Sequence, residues 1–251
     1  MIELNHLCVG YGGKPVLEDI TLAFPAGQVT ILLGPNGCGK STLLKTALGL
    51  LPPLAGQVLY SGAPLTNLRP AQIARQAAYM AQSRTVPNIV ARRLVLHGRF
   101  AYLSFPRQYR REDYEAVQRA LAQADALDLA DRPLPTLSGG QRQKIYLAMA
   151  LAQDTPTVLM DEPTTYLDIR HQLNVMQMAR DLAGAGRAVV LVSHELCLAL
   201  RTADRVAVLD GGALRCVGAP AQVYASGVLE QAFHVRVQRL ETPDGWQYYC
   251  V

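Results

Sequence analysis

The stretch Gly34-Pro35-Asn36-Gly37-Cys38-Gly39-Lys40-Ser41-Thr42 decides the fold, because it fits the pattern G-x-x-x-x-G-K-[S/T] of a phosphate-binding loop. It follows the apolar run Val29 to Leu33 and precedes a helical pattern, Leu43 to Leu48. A strand, a loop and a helix in this order are what the motif requires. Glycine lets the loop backbone wrap closely around a phosphate. The sequence therefore predicts a nucleotide-binding core of the α/β class.

Lys40 and Ser41 carry the chemistry predicted for this loop. The lysine would reach the β- and γ-phosphates of a nucleotide, and the serine hydroxyl would be a ligand of Mg²⁺. The loop residues predicted to surround the nucleotide with them are Gly34, Pro35, Asn36, Gly37, Cys38, Gly39 and Thr42. The alternative is an ordinary glycine-rich turn, which the flanking strand and helix disfavour.

The composition indicates a soluble cytosolic protein with a large core. The chain has 251 residues, 50% of them hydrophobic. No apolar run approaches the roughly 20 residues that span a bilayer, and the first residues do not resemble a secretion signal. Five scattered cysteines without a C-x-x-C pair favour reduced thiols over a disulfide framework or a zinc site. The net charge of +4 decides little about partners.

Two further apolar runs end in residues that suit phosphate chemistry. Thr157 to Met160 precedes Asp161 and Glu162, and Ala188 to Val192 is followed closely by His194. Since ligands bind at the carboxyl ends of parallel strands, Asp161 is predicted to hold Mg²⁺ through water and Glu162 to activate a water for attack on the γ-phosphate. His194 is a candidate hydrogen-bond partner of that phosphate, with a purely structural histidine as the alternative.

The N-terminal residues predict an antiparallel hairpin. Ile2 to Tyr11 and Val16 to Phe24 are two strand patterns on either side of the glycine pair at 12 and 13. Tyr11 stands directly before that turn. Its ring is equally compatible with stacking on a nucleotide base and with a half-buried position at the end of a strand.

From residue 83 to residue 135 the pattern is helical without strands. The short apolar run Ala77 to Ala81 ends at Gln82, and helices are predicted over Ile89 to Leu96 and Arg111 to Ala124, with a short piece at Asp125 to Ala130. We interpret 83–135 as a helical subdomain inserted into a nucleotide-binding core made of 1–82 and 136–251.

The insert is also the most basic part of the chain. Arginines mixed with aromatic side chains can bind single-stranded nucleic acid or form a protein-docking surface. The third hypothesis is a solvated helical face with a few aromatic residues in the core. The residues concerned are Arg84, Arg92, Arg93, Arg99, Arg107, Arg110, Arg111, Phe100, Tyr102, Phe105 and Tyr109.

A second candidate anion site precedes the next helix, which is predicted to run to about Ala152. Ser138 is placed to cap it, and Gly139, Gly140 and Gln141 would open it with free backbone N–H groups. The alternative is a plain capped helix.

Taken together, these stretches resemble the ATP-binding subunit of an ABC transporter. Walker A is 34–42, Walker B is 158–161 followed by Glu162, and the signature is 137–141. The resemblance implies that Tyr11 is the A-loop aromatic, Gln82 the Q-loop glutamine and a metal contact, Asp168 the D-loop aspartate and His194 the H-loop histidine. It implies a P-loop ATPase core with an antiparallel β subdomain, and ATP and Mg²⁺ as cofactors.

Within that family, the sequence over 161–172 resembles the branch that serves iron-siderophore, haem and vitamin B12 importers. The stretch 150–155 and the pair Gly98-Arg99 point the same way. Ala81 and Glu195 depart from the residues common beside the Q-loop and H-loop, and neither change removes a catalytic group.

The resemblance also implies the partners and the mechanism. Two chains would pair head to tail around two ATP molecules, with Ser138 to Gln141 of one chain completing the site of the other. The dimer would sit on the cytoplasmic side of the inner membrane, docked through the helical insert to two permease subunits that receive cargo from a periplasmic or surface binding protein. No nucleic acid is expected. A soluble ABC-type ATPase of DNA repair or translation, and an exporter subunit, are the alternatives.

Overall fold

The computed structural model describes residues 1–82, 86–165, 167–243 and 245–251. Arg84 of the basic insert and Tyr166 of the branch motif lie outside the described residues. The strands are β1 Ile2–Tyr11, β2 Lys14–Phe24, β3 Val29–Leu33, β4 Ala55–Tyr60, β5 Ala63–Pro64, β6 Ala77–Met80, β7 Thr157–Asp161, β8 Ala188–Val192, β9 Arg205–Asp210, β10 Ala213–Gly218, β11 Val237–Thr242 and β12 Gly245–Cys250. The helices are α1 Lys40–Ala47, α2 Pro70–Gln76, α3 Ala91–His97, α4 Arg111–Gln123, α5 Gly139–Ala152, α6 Ile169–Gly184, α7 Leu196–Thr202, α8 Pro220–Ala225 and α9 Val228–Phe233.

The central sheet has six strands in the order β10-β9-β3-β8-β7-β6. All neighbours from β9 to β6 are parallel, and β10 pairs antiparallel with β9. Strands β3, β7 and β8 are buried along their whole length, as their nearly continuous apolar sequences require of strands covered on both faces. This order places the carboxyl ends of β3, β8 and β7 side by side.

A second sheet is antiparallel, in the order β2-β1-β4-β5, and confirms the predicted β subdomain. Gly12 and Gly13 turn the first hairpin with φ angles of 56° and 77°. Buried side chains of this sheet share one apolar cluster with Leu43 and Leu44 of α1. The helix that follows the phosphate loop is therefore anchored between the two sheets.

Helices α3 and α4 pack against α5 in the other apolar cluster, where Val95, Leu121 and Ile145 are fully buried. The predicted helix at Ile89 begins two residues late, at Ala91. Its first residues are extended instead, because the Ile89 carbonyl accepts a hydrogen bond from Leu134 N–H at 2.9 Å and Val90 bridges Pro133. The predicted piece at 125–130 is a single 3-10 turn, Leu127–Leu129.

The C-terminal part holds two antiparallel hairpins, β9-β10 and β11-β12. The short helices α8 and α9 between them were not predicted, although Pro220 at the first position of α8 is a helix-start signal. Within the described residues, no helix has the length and apolar character needed to cross a membrane.

Candidate nucleotide site

Lys40 is held over its own loop at the start of α1. Its side chain is buried, and Nζ donates hydrogen bonds to the carbonyl oxygens of Gly34 at 2.7 Å and Pro35 at 2.9 Å. A phosphate oxygen is a stronger acceptor for an ammonium group than a neutral carbonyl, because both partners are charged. The ammonium group therefore lies within the loop, where a bound phosphate can replace the two carbonyl oxygens as its hydrogen-bond acceptor.

Two loop positions have room only for glycine. A Cβ on Gly34 would lie 2.2 Å from the carbonyl oxygen of Leu209. Gly39 has a φ of 105°, and a Cβ there would lie 2.8 Å from the Leu17 side chain. The β subdomain and strand β9 thus fix the course of the phosphate loop from both sides.

The loop opens into a cavity of about 450 Å³, a size that suits a small-molecule ligand. Residues from four separate parts of the chain line it: Asn36, Gly37, Gly39, Lys40, Ser41, Thr42, Gln82, Glu162 and His194. The structure thus brings Gln82, Glu162 and His194 together at the phosphate loop.

The Glu162 carboxylate has three side-chain partners among the described residues. Its Oε2 accepts hydrogen bonds from Gln82 Nε2 at 2.6 Å and from Thr165 Oγ1 at 3.3 Å, and its Oε1 pairs with His194 Nε2. The backbone of Glu162 has a φ of 52°, which is uncommon for a residue other than glycine and is concentrated at functional sites. The side chain is therefore fixed at the mouth of the cavity.

Asp161 lies behind Ser41 and is 1% exposed. Tyr79 donates a hydrogen bond to its Oδ2 at 3.2 Å. Burial raises the pKa of Asp161, and the nearby hydroxyl groups of Ser41 and Tyr79 oppose that rise. Among the described residues, Oδ1 is buried with no hydrogen-bond partner.

These features fit a hydrated Mg²⁺ beside Ser41. A water held by the cation could donate to the orphaned Oδ1, and the positive charge would favour the ionised carboxylate. In the described ranges, no group of three or more His, Cys, Asp or Glu side chains is arranged to hold a metal alone. Phosphate oxygens and waters would therefore supply most ligands, as is usual for Mg²⁺. Gln82, the other predicted metal contact, donates to Glu162 instead.

Tyr11 stands at the edge of the phosphate loop. Its side chain is half exposed, and its hydroxyl accepts a weak hydrogen bond from Thr42 Oγ1 at 3.5 Å. An aromatic face is thus available beside the loop, although the ring does not line the cavity.

The signature residues and Asp168 do not line this cavity. Ser138 caps α5, with its Oγ accepting from Gln141 N–H at 3.3 Å while Gln141 Oε1 accepts from Ser138 N–H at 3.0 Å. Asp168 caps α6 by accepting from His171 N–H at 2.9 Å. Two residues beyond Gln141, Gln143 Nε2 donates to the Pro163 carbonyl at 2.9 Å, so α5 contacts the loop that carries Glu162.

The fold and the cavity define a P-loop nucleotide-binding protein. The family model described as ABC transporter matches residues 17–165, and the chain belongs to this family. It is therefore an ABC-type ATPase, and the class predicted from the sequence is confirmed.

Curated relatives cover nearly the whole chain. It is 44% identical over 231 residues to a hemin import ATP-binding protein of Nocardia farcinica, with 92% of this chain and 80% of the relative covered. It is 36% identical over 244 residues to a probable siderophore transport system ATP-binding protein of Bacillus subtilis, with 96% and 89% covered. A solved structure described as an inward-facing metal-chelate type ABC transporter superposes with a TM-score of 0.84 at 26% identity, covering 100% of this chain and 97% of the other.

Proposed function

We propose that this chain is the ATP-hydrolysing subunit of an importer for a metal chelate of the iron-siderophore, haem or vitamin B12 type. The observation that carries the hydrolytic role is the convergence of Gln82, Glu162 and His194 on the phosphate loop. The names of the hemin and siderophore relatives support the cargo class.

Hydrolysis uses five residues of the cavity and the buried Asp161. Lys40 exchanges its two loop carbonyls for the β- and γ-phosphates, and Ser41 and Asp161 would hold Mg²⁺. When bound, this cation neutralises charge on the phosphates. Glu162 orients and deprotonates the attacking water, and His194 keeps the Glu162 carboxylate in place. Gln82 senses the γ-phosphate, since a ligand there competes for the amide that now binds Glu162.

The site is completed by a second copy of the chain. The signature residues Ser138 to Gln141 form a helix N-terminus suited to an anion, yet they lie outside the cavity of their own chain. Head-to-tail pairing would bring this helix end to the γ-phosphate held by the partner. Two ATP molecules are then enclosed between two chains, with Asp168 at the junction and Tyr11 stacked on the base. ATP closes the dimer because it binds the closed form better than the open one.

The helices α3 and α4 of the insert form the surface that docks to the membrane partner. Its partners are two permease subunits, which receive cargo from an external binding protein, and the ATPase dimer is peripheral on the cytoplasmic side. No nucleic acid takes part. Arg99 is turned inward, paired with Asp113 at 2.9 Å and stacked on Tyr102, whereas Arg93 and Phe105 are exposed. Docking therefore uses the exposed side chains.

We expect Arg93→Glu to weaken docking to the permease about tenfold and to leave ATP affinity unchanged, because the exposed side chain is remote from the cavity lining. Arg92 is a poorer target, since it pairs with Asp131 at 3.0 Å. Binding to permease-containing membranes and to ATP would be measured separately, with Arg236→Glu as the same charge change on an exposed residue outside the insert. Loss of ATP binding with intact docking would contradict this assignment.

We expect alkylation of Cys38 with N-ethylmaleimide to abolish ATP binding. The Cys38 Sγ lies 3.8 Å from Lys40 Nζ and packs against the apolar cluster beneath the phosphate loop, so a bulky adduct would displace the lysine and the loop from a bound phosphate. Cys38→Ser treated in the same way serves as the control and should keep its ATP affinity, since the four other cysteines lie outside the loop. Unchanged affinity after complete modification by mass would refute the prediction.

The transport role can be tested by identifying the proteins that bind to this chain. A tagged copy of the chain is captured from gently solubilised native membranes, and the accompanying proteins are identified by mass. A polytopic membrane protein in matching amount is the expected result. Ribosomal or DNA-repair proteins instead would leave the ATPase chemistry intact and favour the soluble alternative. A permease without an external binding protein would favour an exporter.

A further inference from the structure

We infer that Tyr79 is a positioning residue for the metal site: its hydroxyl holds one oxygen of Asp161, so that the other oxygen is kept for the water shell of the cation. This inference rests on the Mg²⁺ site of the proposed function. In the sequence, Tyr79 is distinguished only as part of the short apolar run 77–81.

The hydroxyl of Tyr79 reaches Asp161 because β6 pairs in parallel with β7. Tyr79 lies opposite Leu159, and its Oη is 3.2 Å from Asp161 Oδ2, two residues further along β7. Thr155 joins the two strands at their start, since its Oγ1 accepts from Ala78 N–H at 3.1 Å and donates to the Thr157 carbonyl at 2.6 Å. The ring is thus carried by a strand whose register is fixed.

The two carboxylate oxygens of Asp161 differ in their hydrogen bonding. Oδ2 has the tyrosine as donor, whereas Oδ1 is buried without a partner among the described residues. A buried carboxylate oxygen without a hydrogen bond costs free energy, so the arrangement calls for a donor that arrives with a ligand. Water on a cation beside Ser41 is such a donor. With Oδ2 fixed, the carboxylate has less freedom to rotate Oδ1 away from that water.

Residues that orient a metal's ligands affect metal affinity without touching the metal, and their loss typically costs 10- to 100-fold. Removing the Tyr79 hydroxyl alone should therefore weaken the cation site and spare the contacts of Lys40 with the phosphates. A tyrosine that merely fills space between the sheet and its neighbours would not have this effect, because phenylalanine retains the ring.

The test compares Tyr79→Phe with Tyr60→Phe, both in full-length protein that also carries Glu162→Gln to prevent turnover. Tyr60 is the matched control, since it is buried and its hydroxyl donates to the Ala47 carbonyl at 2.9 Å, outside the cavity lining. Mn²⁺ binding is measured by electron paramagnetic resonance at saturating ATP, ATP affinity is measured in EDTA, and thermal unfolding midpoints are recorded.

We expect Tyr79→Phe to weaken Mn²⁺ binding about tenfold while ATP affinity in EDTA is unchanged, and Tyr60→Phe to keep the parental Mn²⁺ affinity. Parental Mn²⁺ affinity in Tyr79→Phe would overturn the inference and leave the proposed function intact. Equal weakening in both variants, together with equal loss of thermal stability, would also overturn it by indicating a general structural effect. A parent protein without ATP-dependent Mn²⁺ binding would refute the proposed metal site itself.

Discussion

Replacing Glu162 with glutamine lowers ATP turnover by about a thousandfold and preserves ATP binding, because a general base typically contributes 10²- to 10⁴-fold to a rate. The amide has the shape of the carboxylate and still accepts the hydrogen bond from Gln82, so the cavity keeps its geometry. It cannot take a proton from the attacking water.

Phosphate release and equilibrium binding of a fluorescent ATP analogue measure the two quantities. Glu18→Gln, the same change at an exposed position of β2, should keep wild-type turnover. Turnover of Glu162→Gln within a few-fold of the wild type would mean that another group activates the water. Because the variant retains ATP, it should run as a dimer with Mg²⁺ and ATP and as a monomer with ADP.

The second large effect is expected from a substitution in the signature, 137–141, that prevents dimer formation. Ser138→Arg, in the Glu162→Gln background, should abolish the ATP-driven dimer while the monomer still binds ATP. The arginine side chain would occupy the space where the partner's γ-phosphate meets the start of α5. Loss of the cap on Gln141 N–H costs the helix about 1 kcal/mol, too little to unfold the chain.

Light scattering after gel filtration reports the dimer, and the ATP analogue reports binding. Ser226→Arg is the control, since Ser226 Oγ also accepts a backbone N–H near a helix start, that of Val228 at 3.3 Å. It should dimerise normally. An ATP-bound Ser138→Arg dimer would show that the signature does not meet the nucleotide of a second chain.

The sequence predicts best those site residues that directly follow buried strands. Buried strands are recognisable as apolar runs, and the residues that follow them meet at one edge of a parallel sheet. Glu162 and His194 could therefore be assigned to the phosphate loop before their contacts were known. The cap on α5 was equally predictable, because serine followed by glutamine three residues later is a local signal.

What the sequence could not predict are contacts between side chains far apart in the chain. Tyr79 and Asp161 are 82 residues apart, and their hydrogen bond depends on β6 and β7 being neighbours. Arg99 belongs to the basic stretch of the sequence, yet it follows α3 and pairs with Asp113 of α4, and both side chains are largely buried. Composition locates such arginines, whereas helix packing decides which of them face solvent.

The most direct test of the shared site mixes two defective chains. In the Glu162→Gln background, Lys40→Ala removes the phosphate contact and Ser138→Arg blocks the signature, so each variant alone should stay monomeric in Mg²⁺ and ATP. A mixed dimer contains one intact site, formed by Lys40 of one chain and Ser138 of the other. The account predicts dimers in the mixture with one ATP per two chains. A mixture that stays monomeric, or a single variant that dimerises with ATP, would contradict it.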